Sequence, residues 1–212
     1  MIDAPISDPA HAFEVLLEGN QRFVAGTPAH PNQDAYRRAA QAPAQTPFAV
    51  LFGCADSRLA AEIIFDRGIG DLFVVRTAGH VLGPEVLGSI EYGISMLDCR
   101  LVAVLGHDSC GAVAATTQAL QDGLTPTGYV RDVVERVTPS VLAAHAAGLE
   151  DPDDIVDEHI RHTVNLLLDR SRVLAEQVEA GRTALVGLSY KLAEGGVRTV
   201  AAHGIDVPVH PA

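Results

Sequence analysis

Residues 48–58 read Phe-Ala-Val-Leu-Phe-Gly-Cys-Ala-Asp-Ser-Arg: six mostly apolar residues, then a loop dense in reactive side chains. A short, continuously apolar run closed by polar residues is the pattern of a strand covered on both faces. Three further runs repeat it, at Leu72–Arg76, Leu101–Gly106 and Ala184–Ser189. Between them lie helical patterns at Ala60–Phe65, Pro84–Leu97, Ala112–Gln121 and, as one long segment, Pro152–Ala180. Strand and helix in alternation predict an α/β fold, with a central, mostly parallel sheet of four strands and helices on both faces. After Ala184–Lys191, the turn Glu194-Gly195-Gly196 and the run Val197–Ala202 predict a hairpin that adds an antiparallel edge strand. That edge also reads as a surface for contact with another subunit.

Upstream of the core, Asp8-Pro9 has the form of a helix cap followed by proline in the first turn. Phe13, Leu16, Leu17, Asn20 and Val24 then share one face as far as Gly26, so an amphipathic helix is expected. The stretch Thr27–Pro47, rich in Ala, Pro and Gln, reads as an extended arm with one short helix around Asp34–Gln41. The chain is expected to form a single domain over 1–212, with a helical arm at 1–46 and the α/β core at 47–212. In the long segment Pro152–Ala180, the residues Val156, Ile160, Val164, Leu167, Leu174 and Val178 fall at helical spacing and form a packing face.

The charge balance, Lys+Arg 15 against Asp+Glu 27, gives a formal net charge of −12 and repels polyanions. With no basic cluster to offset it, nucleic acid is excluded as a partner. Met1 to Leu17 lacks the basic start and long apolar stretch of a secretory signal, and the apolar runs elsewhere are too short to span a bilayer. A soluble, cytoplasmic protein is expected. The 3 cysteines cannot all pair within the chain, and intracellular thiols stay reduced, so metal binding or catalysis is the better reading for at least two. Cys99, at a strand edge outside either motif, reads as a small buried filler.

The remaining two sit in motifs at strand tips: Cys54-Ala-Asp56-Ser-Arg58, and His107-Asp108-Ser109-Cys110-Gly111. In parallel sheets ligands bind beyond the carboxyl ends of the strands, where both motifs fall. Two thiolates and an imidazole are a ligand set for zinc that leaves one tetrahedral position open. Cys54, His107 and Cys110 are the candidate ligands. Asp56 could compete for the open position, and Arg58 could restrain it through a bidentate pair, leaving water to occupy the position. Water on zinc has a pKa near about 7, which makes hydroxide available at neutral pH. Cys110-Gly111 also opens a helix, whose free N–H groups favour negative charge.

These residues resemble the β-class carbonic anhydrases, whose hallmark is Cys-x-Asp-x-Arg followed downstream by His-x-x-Cys. The similarity runs on through Ala61-Glu62-Ile63-Ile64, Asp71–Gly79, Gly88–Tyr92 and Val104–Gly111, and is closest to actinobacterial members. The resemblance implies reversible hydration of carbon dioxide to bicarbonate and a proton by hydroxide on one zinc ion per subunit. It also implies a homodimer or a dimer of dimers, with the N-terminal helix embracing the neighbour. Carried over by position, Cys54, His107 and Cys110 match the metal ligands, and Asp56 and Arg58 match the catalytic dyad. Gln45 matches a substrate-binding glutamine of the plant-type subclass, Phe73 and Tyr92 match pocket positions partly across the dimer interface, and Gly111 matches a glycine whose backbone approaches substrate.

Two positions depart from common family patterns. The bicarbonate-inhibited subclass has tryptophan where this chain has Leu51, so that inhibitory site is not expected here. Arg76-Thr77-Ala78-Gly79 replaces the commoner Arg-Asn-x-Ala and leaves the role of Arg76 open. His80 and His203 are candidate proton carriers. Two alternatives stand beside carbon dioxide hydration: a carbon disulfide or carbonyl sulfide hydrolase on the same fold, and a non-catalytic zinc protein with Asp56 as a permanent fourth ligand.

Overall fold

The computed structural model describes residue 6 and residues 8–210. The opening part of the Met1 to Leu17 segment, read above as lacking a secretory signal, lies outside the described residues.

In chain order the elements are α1 (Pro9–Val24), α2 (Ala35–Gln41), β1 (Ala49–Cys54), α3 (Ala61–Ile64), β2 (Leu72–Thr77), a 3-10 turn (Ala78–His80), α4 (Pro84–Ser95), β3 (Leu101–His107), α5 (Gly111–Asp122), α6 (Val130–Ala146), α7 (Pro152–Arg170), α8 (Arg172–Glu179), β4 (Ala184–Tyr190) and β5 (Val197–His203). The sheet order is β2-β1-β3-β4-β5. The first four strands run parallel and β5 is antiparallel at the edge, as expected. Every residue of β1, β3 and β4 is buried, which accounts for their unbroken apolar sequences.

One face of the sheet carries α4 and α7. Gly93 of α4 sits so close to Val50 that a Cβ there would lie 2.4 Å from its Cγ2, and Ile160 of α7 fills the space above Gly106 and Gly187. Helix α1 packs against β3 and α3. Asp8 caps α1 by accepting the His11 N–H at 2.9 Å, and the buried stripe Ala12, Phe13, Leu16, Gly19 and Asn20 seats the helix on its own chain. Val24, expected on that stripe, is exposed. Asn20 pins the contact: its Nδ2 donates to the Ile64 and Gly195 carbonyls at 3.1 and 2.8 Å, and its Oδ1 accepts the Val197 N–H at 3.1 Å. Residues 25–46, which include α2, are all at least partly exposed.

Two elements depart from the sequence reading. The segment Pro152–Ala180 is two helices, broken at Ser171, whose extended backbone (φ −105°, ψ 98°) closes α7 and caps α8. Ser171 Oγ accepts the Leu174 N–H at 3.1 Å and donates to Glu91 Oε1 at 2.6 Å. Leu167 and Leu174 are both buried on either side of the break, so the apolar periodicity runs through it and conceals it. Helix α6 was not anticipated, because Pro139 in its interior and five valines lower its intrinsic helical propensity. Its buried stripe of Val134, Val137, Val141 and Ala144 supplies the stability that propensity lacks.

Candidate metal centre

β1 and β3 are neighbours, and their carboxyl ends deliver Cys54 and His107 side by side; the turn after β3 adds Cys110 at the start of α5. One ligand atom from each of these three buried side chains lies within 4.8 Å of the others. His107 Nδ1 stands 2.7 Å from the Asp108 carbonyl, so Nδ1 carries the proton and donates, and the Nε2 lone pair is free. That buried Nε2 finds no hydrogen-bond partner among the described residues.

The two thiols shift each other in opposite senses. The Cys110 thiol, hydrogen-bonded to Cys54, lowers the Cys54 pKa more than burial raises it; His107 and the amides near Asp56 and Gly79 add to the lowering. Cys110, as proton donor in that contact, is held up by it and by burial. Burial would depress His107, but the adjacent Cys54 sulfur, the Asp108 carbonyl and Asp56 outweigh it. A divalent cation would satisfy all three groups at once, taking both sulfurs and pairing the orphaned Nε2. Soft sulfur plus borderline nitrogen suits zinc.

Asp56 and Arg58 sit at the rim. Arg58 donates from Nε to Asp56 Oδ1 at 2.9 Å and from Nη2 to Oδ2 at 2.7 Å, and its backbone N–H also reaches Oδ1 at 2.9 Å. The guanidinium bonds, chiefly, hold the Asp56 carboxyl well below the usual carboxylate range. Oδ2 lies 3.9 Å from His107 Nε2, within a side-chain adjustment of the ligand cluster but committed to Arg58. Arg58 Nη2 also reaches the Ser109 carbonyl at 3.3 Å, joining the two motifs.

Sequence reasoning left Arg76 without a role and missed Gly79. Arg76 donates from Nε to the Cys54 carbonyl at 2.9 Å and from Nη2 to the Asp56 carbonyl at 2.5 Å, pinning the first motif from β2. The Gly79 N–H points at Cys54 Sγ from 3.3 Å. A glycine two residues past the end of β2 was the available signal, and it takes up the left-handed region (φ 61°).

The expected pocket residues divide. Gly111 directly follows Cys110 and is at the centre. Gln45, Phe73 and Tyr92 are not brought there by their own chain. Phe73 pairs with Val50, four residues before Cys54, about 13 Å away at ~3.3 Å per residue. Gln45 precedes β1 altogether and is exposed. Tyr92 packs its ring 6.0 Å from that of Phe73 and is 47% exposed, beside the open edge strand β2. Neither proton-carrier candidate faces the centre from solvent. His80 is buried, and His203 pairs with Leu185 at the opposite end of the sheet.

The family described as carbonic anhydrase matches residues 49–197. Carbonic anhydrase 2 of Mycobacterium tuberculosis is 54% identical over 191 residues, covering 90% of this chain and 92% of its own. The carbonic anhydrase of Mycolicibacterium smegmatis is 55% identical over 193 residues, covering 91% of this chain and 94% of its own. Among solved structures, the β-carbonic anhydrase CcaA superposes with a TM-score of 0.66 at 26% identity, covering 88% of this chain and 86% of that one. The Coccomyxa β-carbonic anhydrase, solved with acetazolamide, gives 0.70 at 23% identity over the same shares and bears on the fold alone. With the match spanning the metal motifs and the whole sheet through β4, the chain belongs to the β-class carbonic anhydrases, the lyase family that hydrates carbon dioxide.

Proposed function

We propose that this chain hydrates carbon dioxide reversibly at a zinc centre formed by Cys54, His107 and Cys110, with Asp56 and Arg58 as its working pair. The observation that carries this reading is the bidentate Arg58–Asp56 pair beside the three buried ligands. It commits both carboxylate oxygens elsewhere and leaves a fourth position to solvent, which a closed storage site would not need. When bound, zinc supplies the Lewis acidity that makes water nucleophilic at neutral pH.

The remaining work falls to the chain. Asp56, ionised and oriented by Arg58, accepts a hydrogen bond from the attacking water and aims its lone pair at the carbon. The amides that open α5 after Cys110 face the oxygens on which negative charge develops. Gln45, Phe73 and Tyr92 complete the pocket from a second copy of the chain. Their position at the far end of their own sheet, on the side of the unpaired β2 edge, supports a two-fold dimer in which each copy furnishes half of the other's pocket. Three unpaired cysteines support a reducing, cytoplasmic setting. No helix among the described residues is long and apolar enough to cross a membrane.

Stopped-flow hydration of carbon dioxide by zinc-quantified protein, with carbon disulfide and carbonyl sulfide assayed alongside, tests the reading. Rapid hydration with negligible turnover of the sulfur compounds is expected. Turnover of either sulfur compound in preference to carbon dioxide, or an inert zinc-loaded chain, would overturn it.

A further inference from the structure

Behind the metal loops, a buried polar chain leads from Cys54 into helices that carry no ligand. Cys54 Sγ receives the Gly79 N–H. The Gly79 carbonyl, on the next peptide, faces His159 Nε2 of α7 at 2.8 Å. His159 Nδ1 in turn lies 2.8 Å from Ser140 Oγ of α6. A carbonyl only accepts, so Nε2 carries the proton, and Nδ1 accepts from the Ser140 hydroxyl. His159 is thereby held neutral in one tautomer, with both ring nitrogens satisfied.

The backbone this bond acts on does not hold its own shape. Gly79 and His80 take successive positive φ values, 61° and 41°. The second is strained for a residue with a side chain, by about 1–2 kcal/mol, and persists only where its surroundings fix it. His159 supplies the bond to the intervening carbonyl. The His80 ring packs on the His159 ring with centroids 4.3 Å apart, and the Thr77 hydroxyl closes the turn onto the Val81 carbonyl at 3.0 Å. On its far side Gly79 abuts α5, where an added Cβ would meet Ala112 Cβ at 2.7 Å. The turn is therefore clamped between α5 and α7, with the Gly79 N–H aimed at the sulfur.

We propose that His159, with its tautomer set by Ser140, is a positioning residue for the metal-ligating thiolate: by fixing the Gly79 carbonyl it holds the Gly79 N–H on Cys54 Sγ. That donor fixes the direction in which the sulfur presents its lone pairs and draws charge from it, so the sulfur is aimed at the metal and gives it less charge. The role rests on the zinc reading above. It assigns α6 and α7, the elements least visible in the motifs, a part in setting the metal's acidity.

The test uses the full chain loaded with zinc or with cobalt(II). Chelator competition gives the zinc affinity, and the near-ultraviolet sulfur-to-cobalt charge-transfer band reports the electron density on sulfur. His159→Phe keeps the ring volume and loses the N–H; about 10–100-fold weaker zinc binding is expected, with the band moved to longer wavelength. His159→Gln, which places an amide N–H near the Nε2 position, should restore both. Leu167→Ala, two turns along α7, should lower the melting temperature and leave both readouts at wild-type values. Wild-type affinity and an unmoved band in His159→Phe would overturn the role. Should that variant not fold, the same result in Ser140→Ala would do so. A wild-type chain that takes up neither metal would overturn the metal reading and this role together, whereas a wild-type chain that binds both, matched by His159→Phe, overturns the role alone.

Discussion

Arg58 grips Asp56 with two parallel bonds, Nε to Oδ1 at 2.9 Å and Nη2 to Oδ2 at 2.7 Å, while Oδ2 stands 3.9 Å from the unpartnered Nε2 of His107. The carboxylate is near enough to act as a fourth metal ligand and is restrained by its neighbour. Replacing Arg58 by alanine releases it. Hydration activity is expected to fall by about 100-fold or more, the scale of a displaced catalytic group. Arg58→Lys should lose most of that activity too, because an ammonium cannot reproduce the planar fork. Stopped-flow rates at matched zinc content check this, and near wild-type activity in Arg58→Lys would show that charge alone suffices.

The proposed division of the pocket between two copies is testable by mixing. Gln45→Ala damages the pocket that a chain lends, and Arg58→Ala damages the centre that it keeps. In a heterodimer of the two, one site carries both lesions and the other carries neither. Co-expressed variants, isolated as heterodimers through two different tags, should regain up to about half of wild-type activity, one intact site of two. Activity no greater than that of either parent would place Gln45 in the pocket of its own chain or outside catalysis.

Burial pushes the His159 pKa down to about 4, and the buried His80 is also depressed, chiefly by desolvation. In the unfolded chain both titrate near about 6.5. For His159 the unfolded state therefore binds more protons between these values, and its contribution to stability is full above about pH 6.5 and is lost as pH falls toward 4; His80 acts in the same direction. For His159 the loss is of the order of 3 kcal/mol. Urea unfolding at a series of pH values should show this decline, and His159→Gln should make it shallower. An equal slope in the variant would show that His159 is not the group responsible.

Asn20 bonds three backbone groups from two distant segments. Asn20→Ala strands the carbonyls of Ile64 and Gly195 and the N–H of Val197 in a buried setting. A loss of about 2–3 kcal/mol is expected, at 1–3 kcal/mol for each buried group left unsatisfied with partial relaxation. It is read from the urea midpoint at constant slope.

Much of the fold was legible because β1, β3 and β4 are buried on both faces, which writes their apolar runs directly into the sequence. The ligands were legible because a strand tip is where a parallel sheet presents chemistry, and Cys54 and His107 end adjacent strands. Helix α6 was hidden by Pro139, and the break at Ser171 by an apolar stripe that continues across it. The link from Cys54 through Gly79 to His159 and Ser140 could not be read, since it joins residues far apart in the chain through a main-chain amide and carbonyl that no side-chain pattern marks. Gln45, Phe73 and Tyr92 were nameable only by resemblance, because nothing in one chain's own spacing places them near Cys54.

The central claim is that a zinc ion held by Cys54, His107 and Cys110 performs the hydration. The most direct measurement titrates metal-free chain with zinc and follows the initial rate of carbon dioxide hydration at each addition. The rate should rise in proportion to zinc and stop rising at one ion per chain. A metal-free chain as active as the loaded one, or a loaded chain whose rate stays at the uncatalysed level, would contradict it.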